Sequence, residues 1–434
     1  MTASAEFLAP PRAGEVSGLL RGLDRAALAA TLALPLFLLH GRGIAEASIA
    51  VIDLCFVARS AMLRDWTWLR TPWLLVGLAW WAWLLLCSVP AGDLGQGGFP
   101  SFVQALLTVR FLLFVAALEC SVLREARWRN WLWRMIAAAA AYIVANTLLQ
   151  FAWGRNFYGF PRSGDGELTG PFEEARAGAP LSRLLFPALL PPLAVLLARP
   201  GLAARAAAAG LAVLGLAVMV LIGQRMPVLL TGLGVVVSAL FLPRLRLLLL
   251  ATAVAAGALL AASAVISPPT WYRLVTKFSF QMEHFQASPY GALLDRSLVI
   301  AEKNRWTGRG FDGFRTGCRL PAYFHGWTWP ENPADDGGGA AICNEHPHNH
   351  YLQAVTDAGI PGLLLFSALV VAWLASLARG LWQRPDPLRV GLFVAALIQE
   401  WPIASASSVT SMPLSGWFFL SLGLGLAAAR WQRR

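Results

Sequence analysis

Long apolar runs, separated by short polar connections, recur between residues 25 and 430. Runs of about 17–22 residues can cross a hydrocarbon core of about 30 Å as helices, which satisfy their own backbone hydrogen bonds in lipid. The pattern predicts an all-α integral membrane protein with about 12 transmembrane helices. We expect spans near residues 25–41, 44–62, 72–90, 101–122, 131–152, 180–198, 203–222, 226–242, 246–266, 350–378, 386–402 and 411–430.

The distribution of arginines predicts the topology of these spans. Charged residues make up only 14% of the chain, and the net charge of +11 would suggest a nucleic-acid partner in a soluble protein. Here the arginines are concentrated in alternate connections, as the positive-inside rule requires, so both termini are expected in the cytoplasm. The basic connections contain Arg59, Arg64 and Arg70, then Arg124, Arg127 and Arg129, then Arg199 and Arg205, then Arg244 and Arg246, and then Arg379 and Arg384.

Two segments on the outer side break this alternation. Residues 153–180 carry several arginines, and residues 267–349 form a loop too long for the charge rule to govern. We therefore divide the chain into an N-terminal transmembrane region, residues 1–266, with about nine helices, the large outer loop, and a C-terminal transmembrane region, residues 350–434, with about three helices. Long loops are usually functional, so the chemistry is expected on the non-cytoplasmic face.

The large loop has a composition of its own. It is rich in Trp, Gly and Pro, and it is long enough for short helices, which we expect near residues 288–305 and 311–320. Cys318 and Cys343 both fall in this loop. An oxidising compartment would allow a disulfide between them, and free thiols are the alternative that the sequence leaves open.

Three of the six histidines cluster where this loop meets the tenth predicted span, at His346, His348 and His350. Pro347 would interrupt a helix, so the span is expected to begin just after it, with Asn349 as its cap. A helix N-terminus disfavours imidazolium, which would keep His348 able to accept a proton. Interfacial polar residues are the plainer interpretation. A metal site with Glu345 is a third, but no CxxC or HExxH pattern supports it.

Several arginines lie on the outer side, against the positive-inside rule. Arg225 sits in a very tight connection between two spans, Arg162 lies in the shorter outer segment, and Arg296 lies early in the large loop. Guanidinium groups bind phosphate oxygens bidentately, so convergent arginines would suit a lipid diphosphate. Snorkelling, or an ion pair of Arg296 with Asp295 or Glu302, is the alternative. Lys277, Arg305 and Arg309 are weaker candidates, and Trp327 and Trp329 could stack on sugar rings.

These residues resemble a known signature. His348, Asn349, Leu352, Gly359 and Gly362 follow the pattern HN-x2-L-x6-G-x2-G. This pattern is similar to that of the O-antigen ligase and polymerase superfamily, in which it opens a late transmembrane helix after a large periplasmic loop. Gly308–Phe311, Gly223–Arg225 and Gly170–Phe172 resemble three further elements of that superfamily. His346 and His350 flank the expected histidine, so the choice of His348 depends on the adjacent Asn349.

The resemblance implies a GT-C-like polytopic glycosyltransferase of the bacterial inner membrane, and the chain looks most like an O-antigen ligase. Such enzymes transfer a glycan from undecaprenyl diphosphate to a sugar hydroxyl of lipid A-core, in lipopolysaccharide biosynthesis. The family implies no cofactor and no essential metal. His348 would be the general base, supported by Asn349, His346 and His350. Arg225, with Arg162 and Arg296, would bind the diphosphate.

Two other classes of function stay open at this point. A polysaccharide polymerase or a protein O-oligosaccharyltransferase would share these motifs and differ in the acceptor. A transporter would need buried acidic residues near the midplane and two pseudo-symmetric halves. Asp53 is a candidate acid, but the large loop has no counterpart in the first half of the chain.

Overall fold

The structure is a computed structural model that describes residues 13–174, 176–286, 288–324, 343 and 346–431. The described residues contain no β-strand, only isolated bridges that pair Arg155 with Pro161 and Ser163 with Glu167. The helices are α1 (Ala13–His40), α2 (Arg42–Leu63), α3 (Pro72–Cys87), α4 (Gly98–Leu107), α5 (Val109–Ala117), α6 (Ala126–Trp153), α7 (Gly178–Ala198), α8 (Leu202–Ile222), α9 (Arg225–Phe241), α10 (Arg246–Ile266), α11 (Pro268–Trp271), α12 (Lys277–Glu283), α13 (Pro289–Lys303), α14 (Gly313–Gly317), α15 (His350–Ala378), α16 (Pro387–Gln399) and α17 (Leu414–Trp431).

Each of the twelve predicted spans falls on a helix, with α4, α5 and a π-helical turn together forming the fourth. Among the described residues, seven segments are long and apolar enough to cross a membrane, and α3, α9 and α16 are shorter apolar helices. The chain is thus a multi-pass helical membrane protein, and the count of twelve crossings stays a prediction. The seven segments are Ser17–His40, Gly98–Val122, Ala126–Trp153, Gly178–Ala198, Leu202–Ile222, Arg246–Ile266 and His350–Ala378.

Helix α17 lies inside the bundle, and α10 lies at its edge. Every residue of α17 from Ser415 to Ala429 is buried, because its glycines let neighbouring helices approach. At Gly423, an added Cβ would lie 2.5 Å from Leu118. Helix α10 instead is only 17% buried over its most apolar window. It has 21 residues, and the neighbouring α9 has 17.

The large loop folds into short helices over a second, smaller core. Helix α13 occupies Pro289–Lys303, close to the predicted 288–305. Helix α14 is shorter than the predicted 311–320, because Asp312 before it adopts a positive φ of 57°. Six buried residues form this core, and Cys343 packs against it, joined by a disulfide to Cys318. The core residues are Leu293, Val299, Ile300, Phe314, Cys318 and Tyr323.

Helix α15 is broken near its start, and a loop segment fills the break. Gly359 has φ 66° and ψ −167°, so the helical hydrogen bonds cannot continue. The Gly308–Phe311 segment supplies donors to the carbonyls that the break leaves without helical partners. Arg309 N donates to Thr356 O and Gly310 N donates to Asp357 O, both at 2.9 Å. Trp83 Nε1 donates to Ala358 O at 2.9 Å. Gly308 and Gly310 of the loop motif and Gly359 of the motif that begins at His348 therefore lie at one close backbone contact.

Gly359→Ala is expected to destabilise the folded protein. The positive φ alone would cost an L-residue about 1–3 kcal/mol. The new Cβ would also lie 2.5 Å from the backbone of Trp306. Gly257→Ala, at a helical glycine with nothing within 4 Å, is the matched control and is expected to keep or raise stability. Thermal unfolding in detergent checks both, and equal melting temperatures for Gly359→Ala and wild type would contradict the prediction.

Candidate functional site

The site is built around the N-terminus of α15. The Asn349 side chain caps the helix, accepting from Tyr351 N at 2.9 Å and Leu352 N at 3.0 Å. Its Nδ2 donates to Pro402 O at 2.8 Å. The cap therefore also fixes the helix start against the connection between α16 and α17.

His350, the first residue of α15, is buried inside the bundle. It is 7% exposed, its Nδ1 lies 3.0 Å from Glu400 Oε2, and its Nε2 lies 2.9 Å from Ser407 O. Arg183, buried on α7, interacts electrostatically with the same carboxylate. Both ring nitrogens of His350 thus face oxygen atoms inside the bundle, which suits a residue that anchors the helix.

His348 has a different environment. It adopts a left-handed φ of 57°, and its carbonyl accepts from Ala406 N at 2.8 Å. Its ring is half-buried, 4.6 Å from the ring of His346 and 5.8 Å from that of Tyr290, between centroids. Burial lowers the pKa of His348 below its usual value. The ring is therefore neutral at pH 7 and able to accept a proton.

His346 is a poorer base than His348. Burial, together with the neighbouring His348 and His350, lowers the pKa of His346 to about 4. A group with so low a pKa holds a proton weakly near neutral pH. Both His346 and His348 are partly exposed and neutral at pH 7, and His346 is the weaker base of the two, so the choice of His348 stays a prediction.

Arg225 is the first residue of α9, and the large loop fixes its orientation. Its Nε donates to Arg273 O at 3.0 Å, and its Nη1 donates to the side chain of Gln281. Arg273 in turn donates from Nε to Gly223 O at 3.1 Å. The side chain of Tyr290 lies within electrostatic range of the Arg225 guanidinium. Because Tyr290 also contacts His348, the structure brings Arg225 and His348 to one region.

A charged cluster surrounds this turn. Arg273 forms ion pairs with Glu167 and, at 3.9 Å, with Asp165, and Lys277 lies 2.6 Å from Asp165. Burial raises the pKa of Glu167, and its pairing with Arg273 opposes this. Burial has the larger effect. The side chain of Gln224 also bonds to Glu167. The shorter outer segment thereby holds the turn that carries Arg225.

Sequence reasoning missed Arg273 and Arg183. Arg273 follows the ninth span on its outer side, so the violation of the positive-inside rule that drew attention to Arg225 could have found it. Arg183 lies within an apolar run, where an ionisable residue is itself a signal. Tyr290 carries no signal in the sequence, since a single tyrosine in a loop is common.

Arg162 bonds to the end of α6, and Arg296 bonds within the large loop. Arg162 Nη2 donates to Phe151 O at 3.1 Å, and its guanidinium lies over the Phe151 ring. Arg296 is 2% exposed and donates from Nη1 to Cys318 O at 2.8 Å. Their roles in diphosphate binding stay hypotheses. Within the described part of the chain, no group of three metal-ligating side chains could hold an ion. Glu345, Trp327 and Trp329 lie outside the described residues.

The fold and the site define a multi-pass membrane protein in which a neutral histidine, His348, and an oriented arginine, Arg225, lie where a large loop meets the bundle. Residues 210–367 match the family model described as O-antigen ligase. Over that segment the match confirms the resemblance stated from the motifs. The segment includes Arg225, Tyr290 and His348, whereas Arg162 lies outside it. No curated protein matches the chain.

The structure predicts that replacing His350 lowers the stability of the folded protein, whereas replacing His348 does not. His350→Ala leaves Glu400, with its side chain 1% exposed, without its ring partner. Removing one member of a buried pair costs about 3–5 kcal/mol. His348→Ala removes a half-buried ring, so its unfolding temperature is expected to stay near that of wild type. Thermal unfolding of the two variants side by side checks this, and the reverse order of stability would show that His350 does not anchor the helix.

Proposed function

We propose that this protein is an O-antigen ligase of the bacterial inner membrane. It would transfer a glycan from undecaprenyl diphosphate to a sugar hydroxyl of lipid A-core in the periplasmic leaflet, without a metal and with inversion. The observation that carries the proposal is the family match over residues 210–367, which contains both Arg225 and the neutral His348. The meeting of these residues around Tyr290 supports a single reaction centre.

His348 would act as the general base. The acceptor hydroxyl attacks the anomeric carbon while its proton passes to the neutral ring, and the bond from that carbon to the phosphate oxygen breaks. Attack from the face opposite the leaving group inverts the anomeric configuration. The left-handed backbone and the bond from Ala406 N fix the position of the ring before substrate arrives.

Arg225 would stabilise the leaving diphosphate. The breaking bond leaves its electron pair on a phosphate oxygen, where negative charge develops. The contacts with Arg273 O and Gln281 orient the guanidinium, while Asp165 and Glu167 act on it only electrostatically among the contacts described. Arg162 and Arg296 stay candidates for the same diphosphate on the strength of the sequence pattern.

The nearest alternatives differ in the acceptor. A polymerase would extend a second lipid-linked glycan, and a protein O-oligosaccharyltransferase would modify Ser or Thr. A transporter is a third class, and it would move a lipid-linked glycan without breaking a bond. Assays that offer each acceptor separately distinguish these functions.

The decisive experiment uses purified protein in detergent with synthetic undecaprenyl-diphosphate glycan and lipid A-core, with chelator and without nucleotide. Wild type is expected to transfer the glycan. His348→Ala is expected to lose about 100- to 10,000-fold in turnover, and Arg225→Lys, which keeps charge but loses the fork, about 100- to 1,000-fold. His284→Ala, at an exposed histidine of the same loop, is the control and should retain activity. Extension of the lipid-linked glycan without transfer to lipid A-core would favour the polymerase.

The pH dependence follows from the lowered pKa of His348. The base works only when neutral, so activity is full above its pKa and is lost as the pH falls through it. Since burial places this pKa below 6.5, the acid limb of kcat/KM is expected below pH 6.5. A profile of kcat/KM from pH 4.5 to 8 checks this expectation. An acid limb above pH 7 would argue against His348 as the base.

A further inference from the structure

Tyr290 lies near both His348, the proposed base, and Arg225, the proposed ligand of the diphosphate. Its ring meets the ring of His348 edge-on, with centroids 5.8 Å apart. Its side chain also lies within electrostatic range of the Arg225 guanidinium. Arg225 belongs to α9 and His348 precedes α15, so Tyr290, on α13, joins two elements that are distant in the sequence.

The backbone at Tyr290 is fixed, while its side chain is accessible. The buried Ser288 caps α13 by accepting from Gly291 N at 3.1 Å. At Gly291, a Cβ would lie 2.0 Å from Phe285 O, so the first turn packs directly on the preceding backbone. Tyr290 is nevertheless 49% exposed. A tyrosine held in this way can present its hydroxyl to a ligand at little entropic cost, since only two side-chain torsions must be fixed.

We propose that Tyr290 is a catalytic residue whose hydroxyl donates a hydrogen bond to the diphosphate of the lipid-linked donor, between Arg225 and His348. This inference rests on the proposed function and extends it. As the acceptor oxygen bonds to the anomeric carbon, the electron pair of the breaking bond stays on the phosphate oxygen and the acceptor proton goes to His348. Tyr290 keeps its own proton and stabilises the charge on the leaving oxygen.

Tyr290→Phe tests the hydroxyl, because it keeps the ring and its contact with His348. A hydrogen bond to a charged group contributes about 1.5–3 kcal/mol, so kcat/KM for the donor is expected to fall about 10- to 100-fold. Tyr272→Phe is the matched control: Tyr272 lies in the same loop and is also 49% exposed. This control is expected to keep the wild-type kinetics.

Tyr290→Leu tests the ring. Its removal admits water to His348, so the acid limb of the pH profile is expected to move to higher pH, while Tyr290→Phe leaves the limb in place. The readouts are kcat, the KM for undecaprenyl-diphosphate glycan and the pH profile. Wild-type kinetics in folded Tyr290→Phe would overturn the role of Tyr290 alone. A wild type that neither binds undecaprenyl diphosphate nor transfers its glycan would overturn the proposed function and, with it, this inference.

Discussion

A helix that breaks inside a membrane bundle must satisfy its freed peptide groups within the protein, since lipid offers no hydrogen bonds. In α15 this constraint is met by the Gly308–Phe311 segment, which donates to the carbonyls just before Gly359. The large loop is thereby attached to the bundle by backbone contacts. The short first part of α15, and the histidine that precedes it, take their position from this attachment. The rest of the site depends on it.

Charge is used in two ways around this position. Beneath the surface, Glu400 is paired with His350 and lies near Arg183, so the buried charges compensate each other and hold the helix in place. At the surface, the guanidinium of Arg225 donates its hydrogen bonds to neutral oxygen atoms, and Asp165 and Glu167 act on it electrostatically. The first arrangement compensates buried charge within the bundle, whereas the second holds the guanidinium by hydrogen bonds in the orientation proposed for binding a ligand. This contrast separates the anchoring residues from those proposed to act in the reaction.

The sequence predicts most of the fold because apolar runs of membrane length have few other solutions. The twelve helical segments, the cap at Asn349 and the candidate Arg225 all follow from local patterns. What the sequence does not predict depends on contacts between distant segments. Arg273 and Gln281 meet Arg225 across about fifty residues of chain, and Tyr290 meets His348 across a similar distance. The ranking of the three histidines as candidate bases likewise depends on the contacts of each ring.

The unequal lengths of α9 and α10 have a consequence for the depth of the site. Helix α9, with 17 residues, spans about 25 Å, while α10, with 21, spans about 31 Å, close to the thickness of a hydrocarbon core. Because the two helices pack together and share a tight turn at residues 242–245, Arg225 begins about 6 Å below the level that α10 reaches. The chain must descend again through α11 before Arg273 can meet it. A helix as short as α9 creates a hydrophobic mismatch, so a bilayer around its exposed face would thin locally. For the proposed lipid-linked donor, such thinning would shorten the distance that its headgroup must rise to leave the lipid.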